Sequence, residues 1–143
     1  MRKLGLDFGT KICGFAITDE LSILANALEN FERKNDDLQE IVNRIEYWQN
    51  FYENKIDTIV IGLPTNVNGS DNPRTILVRE FVDYLKNNWK NPIKIVMSDE
   101  RFTTQIATQY LKDMNLKASK IKKIKDKISA VIILEDYLRT INF

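Results

Sequence analysis

The chain has 143 residues, 43% of them hydrophobic and 29% charged, with a net charge of +1; this suffices for one domain with a real core and gives little overall attraction for nucleic acid. It contains no histidine and one cysteine, Cys13, which excludes histidine triads, histidine acid–base chemistry, His- or Cys-rich zinc sites and an intramolecular disulfide. An enzyme of this composition has to work with carboxylates, lysine, arginine, hydroxyls or a hard metal ion on oxygen ligands.

The first elements read as strands. KLGLDF (3–8) predicts a short buried strand and GTKICG a tight connection; GFAITD (14–19) and SILANALENFE (22–32) predict a hairpin pair. KNDD (34–37) offers helix caps, and Leu38, Ile41, Val42, Ile45, Trp48 and Tyr52 recur at helical spacing to about Glu53. DTIVIG (57–62) is a central strand by its β-branched run, and LPTNVNGSDNP (63–73) is a loop. Pro73 suits the first position of a second helix carrying Ile76, Leu77, Phe81, Val82 and Leu85. IKIVMSD (93–99) is the last strand, and Thr103 or Thr104 caps a third helix carrying Ile106, Tyr110 and Leu111. LKASKIKKIKDK (116–127) reads as a basic connector, and ISAVIILEDYL (128–138) as a largely buried helix. Trp48, Tyr52 and Trp89 read as core or rim packing.

The order β-β-β-α-β-α-β-α-α, without repeat or linker, predicts a single α/β domain over residues 1–143. Its sheet is mixed and five-stranded, order 3-2-1-4-5 with strand 2 antiparallel, flanked by helices. No apolar run approaches the length of about 18 residues that spans a membrane. MRKLGLDFG lacks signal-peptide anatomy, since Asp7 interrupts its apolar run. A cytoplasmic location is expected, and a lone cysteine suits that reducing compartment.

Four carboxylates stand near the ends of these elements. Asp7 lies in or near the end of the first strand, inside an apolar run where an unpaired carboxylate is costly to bury; as a turn device it would bond the following Gly and Thr amides. Asp99 and Glu100 follow the last strand, with Arg101 as a ready partner. Acids near a helix start are common, but the carboxyl ends of parallel strands also line one rim where sites form. Asp126 reads as the opening residue of the final helix, either a plain cap or a carboxylate turned toward Asp7. Together these acids fit the binding of Mg²⁺ or Mn²⁺. Two such ions about 3.5–4 Å apart activate water and stabilise the leaving oxygen of a phosphodiester. Converging without metal, the carboxylates would repel and raise one another's pKa.

LGLDFGTKICGFAITD, IVIGLPTNVNGS, SDERFTT and DKISAVIILEDYL are similar, in order and spacing, to the four blocks of the YqgF-type family. Its members are bacterial ribonuclease H-like proteins, described both as Holliday-junction resolvases and as nucleases maturing the 5′ end of pre-16S ribosomal RNA. The resemblance spans essentially the whole chain. It implies a ribonuclease H-like fold and metal-dependent hydrolysis of nucleic acid, with Asp7, Glu100 and Asp126 as catalytic carboxylates and Asp99 joining them as metal ligands. It also places Lys11, Gly62, Pro64, Gly69, Arg101, Thr103 and Thr104 at motif positions. Two departures stand out. The family's Gly-x-Lys-Arg-Ile-Gly is Gly9-Thr10-Lys11-Ile12-Cys13-Gly14 here, so an arginine is missing, and its phosphate contact is either lost or taken over by Lys11. Lys127 replaces a small or apolar residue after Asp126 and is expected to face solvent.

Local patches must supply the affinity for substrate. Lys117, Lys120, Lys122, Lys123, Lys125 and Lys127 fall within eleven residues. They suit phosphate contacts that weaken with salt, or else form a solvated connector. Asn66, Asn68 and Ser70 can bond sugar or phosphate, or serve the turn, with Gly69 at positive φ. The expected partner is nucleic acid, a ribosomal RNA precursor ahead of a DNA junction, with a ribosomal particle as setting and the chain a monomer or weak homodimer. No residue pattern reports a 2′-hydroxyl contact. Two other readings stand beside the nuclease. One is a nucleic-acid-binding factor of the same fold that does not cut. The other is a kinase or ATPase, whose phosphate cradle also reads Asp-x-Gly-Thr but needs a second domain and a second phosphate loop absent from this sequence.

Overall fold

A computed structural model describes residues 1–100 and 103–142, and the side chains of all these except 103–105. At the centre of its sheet β1 (Arg2–Asp7) pairs antiparallel with β2 (Ile12–Thr18) and, on its other side, parallel with β4 (Ile56–Leu63). β3 (Ala25–Glu32) runs antiparallel to β2, and β5 (Lys94–Asp99) parallel to β4. The order is β3-β2-β1-β4-β5, as the sequence predicts. β1, β4 and β5 therefore deliver their carboxyl ends, and the residues that follow, to one rim.

Alternation along β1 sets the two faces apart. Leu4, Leu6 and the following Phe8 enter the larger core with Ile59 and Ile61 of β4, while Gly5 and Asp7 point to the opposite face. The larger core is closed by α1 (Leu38–Phe51) and α2 (Pro73–Asn88), which contribute Ile41, Val42, Ile45, Val78, Phe81, Val82 and Leu85. Trp48, Tyr52 and Trp89 pack at its margin, as expected. The other face is covered by α4 (Ala118–Ile141), whose Ala130, Ile133 and Leu134 pack on Ala16 and Val60. α3 (Thr103–Asp113) packs against α4. It buries Ala107 and Leu111 and leaves Ile106 and Tyr110 exposed. Among the described residues, no helix is long and apolar enough to cross a membrane.

Local chemistry sets the boundaries. β3 starts at Ala25 rather than at 22, because the Asp19 carboxylate accepts hydrogen bonds from the Leu21, Ile23 and Leu24 amides and Ser22 takes φ +55°. α1 ends at Phe51, before Glu53 and Asn54 turn left-handed at φ +57° and +60°. α2 opens with a capping box between Asn72 and Thr75, and Pro73 takes the first turn.

One sequence expectation is corrected. The segment 116–127 is not a connector: all but its first residues belong to α4, which begins at Ala118. Lysine is a good helix former, no Gly or Pro interrupts the segment, and Ile121, Ile124 and Ile128 continue the apolar face of the later turns. Asp126 consequently sits in the third turn of α4 and does not cap it.

Candidate active site

One cross-sheet row on the α4 side builds the site. Pairing places Asn30 of β3 beside Gly14 of β2, Gly14 beside Asp7 of β1, and Gly62 of β4 beside Ser98 of β5. Gly62 lies one step past Ile61, the last partner of β1, so it flanks Asp7 from the other side. The row thus reads Asn30, Gly14, Asp7, Gly62, Ser98, with the carboxylate between two glycines. Both glycines are required by close approach. A Cβ on Gly14 would overlap the Asp126 carbonyl, and one on Gly62 would collide with Ile133 and lie 3.4 Å from Cγ of Glu100. The missing side chains let α4 bring Asp126 toward Asp7 and let Glu100 lie over the next strand.

Ser98 Oγ donates to Glu100 Oε1 at 2.7 Å, fixing that carboxylate. Asp99 takes the opposite direction, is exposed, and accepts from Thr65 Oγ1 at 2.8 Å. Of the adjacent acids after β5, Glu100 is therefore the one on the Asp7 side of the sheet.

The electrostatics single out Asp7. Burial pushes its pKa up to about 7, and the neighbouring Asp126 carboxylate adds to the rise, while Arg74 and Lys125 pull it back. Asp126 is also raised, first by burial, against Lys125 and Arg74. Two acids whose ionisation burial opposes, with Asp126 adding to the rise at Asp7 and Glu100 one strand away, form a hard, all-oxygen donor set. Among the described residues no three such groups are drawn together as a closed cage. A small hard divalent cation does not need one, since it is commonly held by one or two carboxylates with water and substrate phosphate completing its shell. By donor chemistry and charge the pair fits such an ion.

Beside the pair lies an open groove of about 350 Å³. Thr10, Lys11, Arg74, Lys122, Lys125 and Asp126 edge it, over a floor that includes Phe8, Leu77 and Val78. Three cationic sources converge there: the β1–β2 loop, the first turn of α2 and the third turn of α4. The loop is held from beneath by Arg33, whose side chain is 3% exposed and whose Nη1 donates to the Gly9 carbonyl at 3.2 Å. Cys13 is buried under the same loop, and burial pushes its thiol up to about 11, so it packs as a neutral group.

The structure gathers some of the residues expected from sequence and separates others. Asp126, Lys11, Lys122 and Lys125 line the groove, and Asp7 lies outside that lining but feels the charges of Asp126, Arg74 and Lys125, whereas Lys123 is exposed and does not line it. Lys127 is half-buried, so the expectation that it faces solvent holds only in part. Asn66 and Asn68 are exposed but occupied: Asn66 Nδ2 donates to Ser70 and Asp71, and Asn68 Oδ1 accepts from the Ser70 amide and hydroxyl. They shape the loop in which Gly69 takes φ +84°. Arg101 and the side chains of Thr103 and Thr104 lie outside the described residues. Sequence reasoning missed Arg74, although Pro73-Arg74 directly follows a motif loop; it missed Asn30, which lies in no motif, and it gave no role to Ser98, although Ser98 opens the SDERFTT block.

A family profile described as "RuvX: Holliday junction resolvase" matches residues 1–140. Over its full length the chain is 53% identical to a protein of Ureaplasma parvum serovar 3, covering 99% of it. It is 40% identical to one of Clostridium botulinum over 99% of each chain. Both relatives bear the provisional name pre-16S rRNA nuclease. Among solved structures, T. thermophilus RuvC in complex with a Holliday junction substrate matches with a TM-score of 0.55 at 14% identity, over 98% of this chain and 96% of that one. The fowlpox virus resolvase with its junction DNA matches with a TM-score of 0.54 at 13% identity, over 99% of each. At such identities the likeness carries the fold alone, which is ribonuclease H-like.

Proposed function

The chain belongs to the family described as RuvX Holliday junction resolvases, and from that premise we propose that it is a metal-dependent nuclease whose substrate is the precursor of 16S ribosomal RNA, cut at its 5′ end. The observation that carries this reading is the pairing of Asp7 with Asp126 at the edge of a groove lined by Lys11, Arg74, Lys122 and Lys125. The substrate is named from the full-length relatives of Ureaplasma and Clostridium. We further propose that residues 1–143 act as one cytoplasmic domain, a monomer or weak homodimer, on a ribosomal particle.

The division of labour follows from the geometry. The cationic edge neutralises the phosphates of an incoming strand and sets its register. Asp7 and Asp126 would hold the divalent cation, Mg²⁺ or Mn²⁺, with Glu100 adjoining them. When bound, that ion activates water and stabilises negative charge developing at the scissile phosphate. Glu100 would order the attacking water and accept its proton, a role supported by the Ser98 hydroxyl that donates to its carboxylate. The Gly14 and Gly62 surfaces keep backbone close on both sides of Asp7, which leaves little room for bulk water beneath the reacting phosphate.

The test is cleavage of a labelled structured RNA, a single-stranded RNA and a four-way DNA junction. Each is incubated with Mg²⁺, Mn²⁺ or EDTA, beside Asp7→Asn. RNA cuts that need metal and fall about 100-fold or more in the variant support the reading. Full-rate cleavage by folded Asp7→Asn overturns it. Symmetric cuts in the junction alone favour the second reading, a resolvase, which rests on the family's own description. Salt-sensitive binding without any cutting would leave a non-catalytic factor.

A further inference from the structure

Asn30 belongs to none of the sequence blocks, yet its carboxamide enters the backbone of α4. Its Nδ2 donates to the Lys123 carbonyl, and its Oδ1 accepts from the Lys127 amide at 2.8 Å. In a regular α-helix those two groups are each other's partners, since the amide of residue i bonds the carbonyl of i−4. The side chain from β3 thus bridges one rung of the helical ladder, offering one donor and one acceptor just as a peptide group does. The bridged turn is the one that carries Asp126, and it also holds Lys125. The neighbouring position on β2 is Gly14, against which the Asp126 backbone rests. One side of the helix is therefore seated on a glycine and the next rung is fastened by a carboxamide.

We propose that Asn30 is a positioning residue for Asp126: by clamping the Lys123–Lys127 rung to the sheet it sets where the Asp126 carboxylate stands relative to Asp7, and so how well the pair takes up a divalent cation. The inference rests on the metal-site reading above. Glutamine carries the same carboxamide but on a stem one methylene longer. Aspartate keeps an acceptor for the Lys127 amide but loses the donor and repels the Lys123 carbonyl; alanine loses both bonds. Asn30 touches neither substrate nor ion, so its effect is expected on metal affinity and local opening ahead of global stability.

The experiment compares wild type, Asn30→Ala and Asn30→Asp in three measurements made on the same preparations. These are Mn²⁺ binding by calorimetry, exchange of the Lys127 amide by NMR, and urea unfolding without metal. Loss of a group that orients a ligand typically weakens metal binding about 10–100-fold; that loss is expected for Asn30→Ala, with Asn30→Asp also weakened. The Lys127 amide should exchange about 10-fold faster or more in Asn30→Ala. Mn²⁺ affinity within about two-fold of wild type in both variants overturns the proposal. So does a fall in global stability with normal affinity in the folded fraction, which would make Asn30 a structural residue only. If wild type itself binds no Mn²⁺, the metal-site reading fails and takes this inference with it. Normal wild-type binding with unaffected variants removes the inference alone.

Discussion

The two faces of the sheet differ in kind. The face under α1 and α2 is continuous hydrocarbon, with Leu4, Leu6, Phe15, Ile59, Phe81 and Leu85 buried and Phe8 stacked on Phe81 at 5.1 Å between ring centroids. The face under α4 has a smaller apolar cluster, and at its rim runs the polar row Asn30, Gly14, Asp7, Gly62 and Ser98. The first face holds the fold through area and packing. The second gives up side-chain volume at two glycines to bring a helix backbone with Asp126 toward Asp7 and to let Glu100 lie over the next strand. Stability and chemistry are thereby assigned to opposite sides of β1.

The division can be broken in steps. Leu85→Ala removes a fully buried side chain from the thick face and should cost about 2–5 kcal/mol in urea unfolding. Cleavage per folded molecule should stay normal, and a parallel loss of specific activity would deny that the faces are separate. Gly14→Ala forces the helix off the row. A cost of about 1–3 kcal/mol is expected, with metal affinity falling beyond what the lost stability explains; unchanged Mn²⁺ binding would show that α4 adjusts freely there.

Asp7 links the two faces through pH. Without metal its folded pKa is about 7, against 3.8 for an unperturbed carboxyl. Between those values the folded chain keeps a proton that the unfolded chain has released, so stability falls as pH rises through that window. Asp7→Asn should flatten the slope, leaving the part that the raised Asp126 contributes. In EDTA at pH 8 the variant should exceed wild type by about 1 kcal/mol or more, several degrees in Tm, and lose the advantage near pH 4. Equal stability at both pH values would show that Asp7 is well solvated. The smallest effect is expected from Arg74→Ala. It should weaken RNA binding evenly across sequences and lower the salt slope by about 1, as loss of one phosphate contact does; an unchanged slope would remove Arg74 from the groove's working edge.

The element order and the part of the site that lies along the chain were legible in sequence. β1, β4 and β5 announce themselves by short apolar runs, α1 by its period, and Asp7 by standing where a carboxylate is costly. What could not be read is what depends on register between strands. Asn30, Gly14 and Ser98 meet Asp7's row only after the sheet is assembled; Gly14 and Ser98 lie in motif blocks that do not say what they face, and nothing local marks Asn30. The start of α4 was misread for a different reason. A dense lysine run resembles a solvated connector, and it masks the apolar spacing of Ile121, Ile124 and Ile128. Arg74 was passed over because Pro73 explained the helix start by itself.

The misread segment has a consequence of its own. The first turns of α4 carry Lys120, Lys122, Lys123 and Lys125 at spacings of three, and Lys123 and Lys127 at four, above a Lys117 cap position that makes no side-chain hydrogen bond. Each such like-charge pair works against the helix by about 0.2–0.5 kcal/mol, and cations at an amino end oppose the helix dipole. This end of the helix is wound against its own charge, held by Ile121 and the Asn30 rung. A polyanion laid along the groove removes that load as it binds. The winding of these turns is thus expected to follow substrate occupancy: helicity by circular dichroism should rise with added salt and rise further with a bound strand.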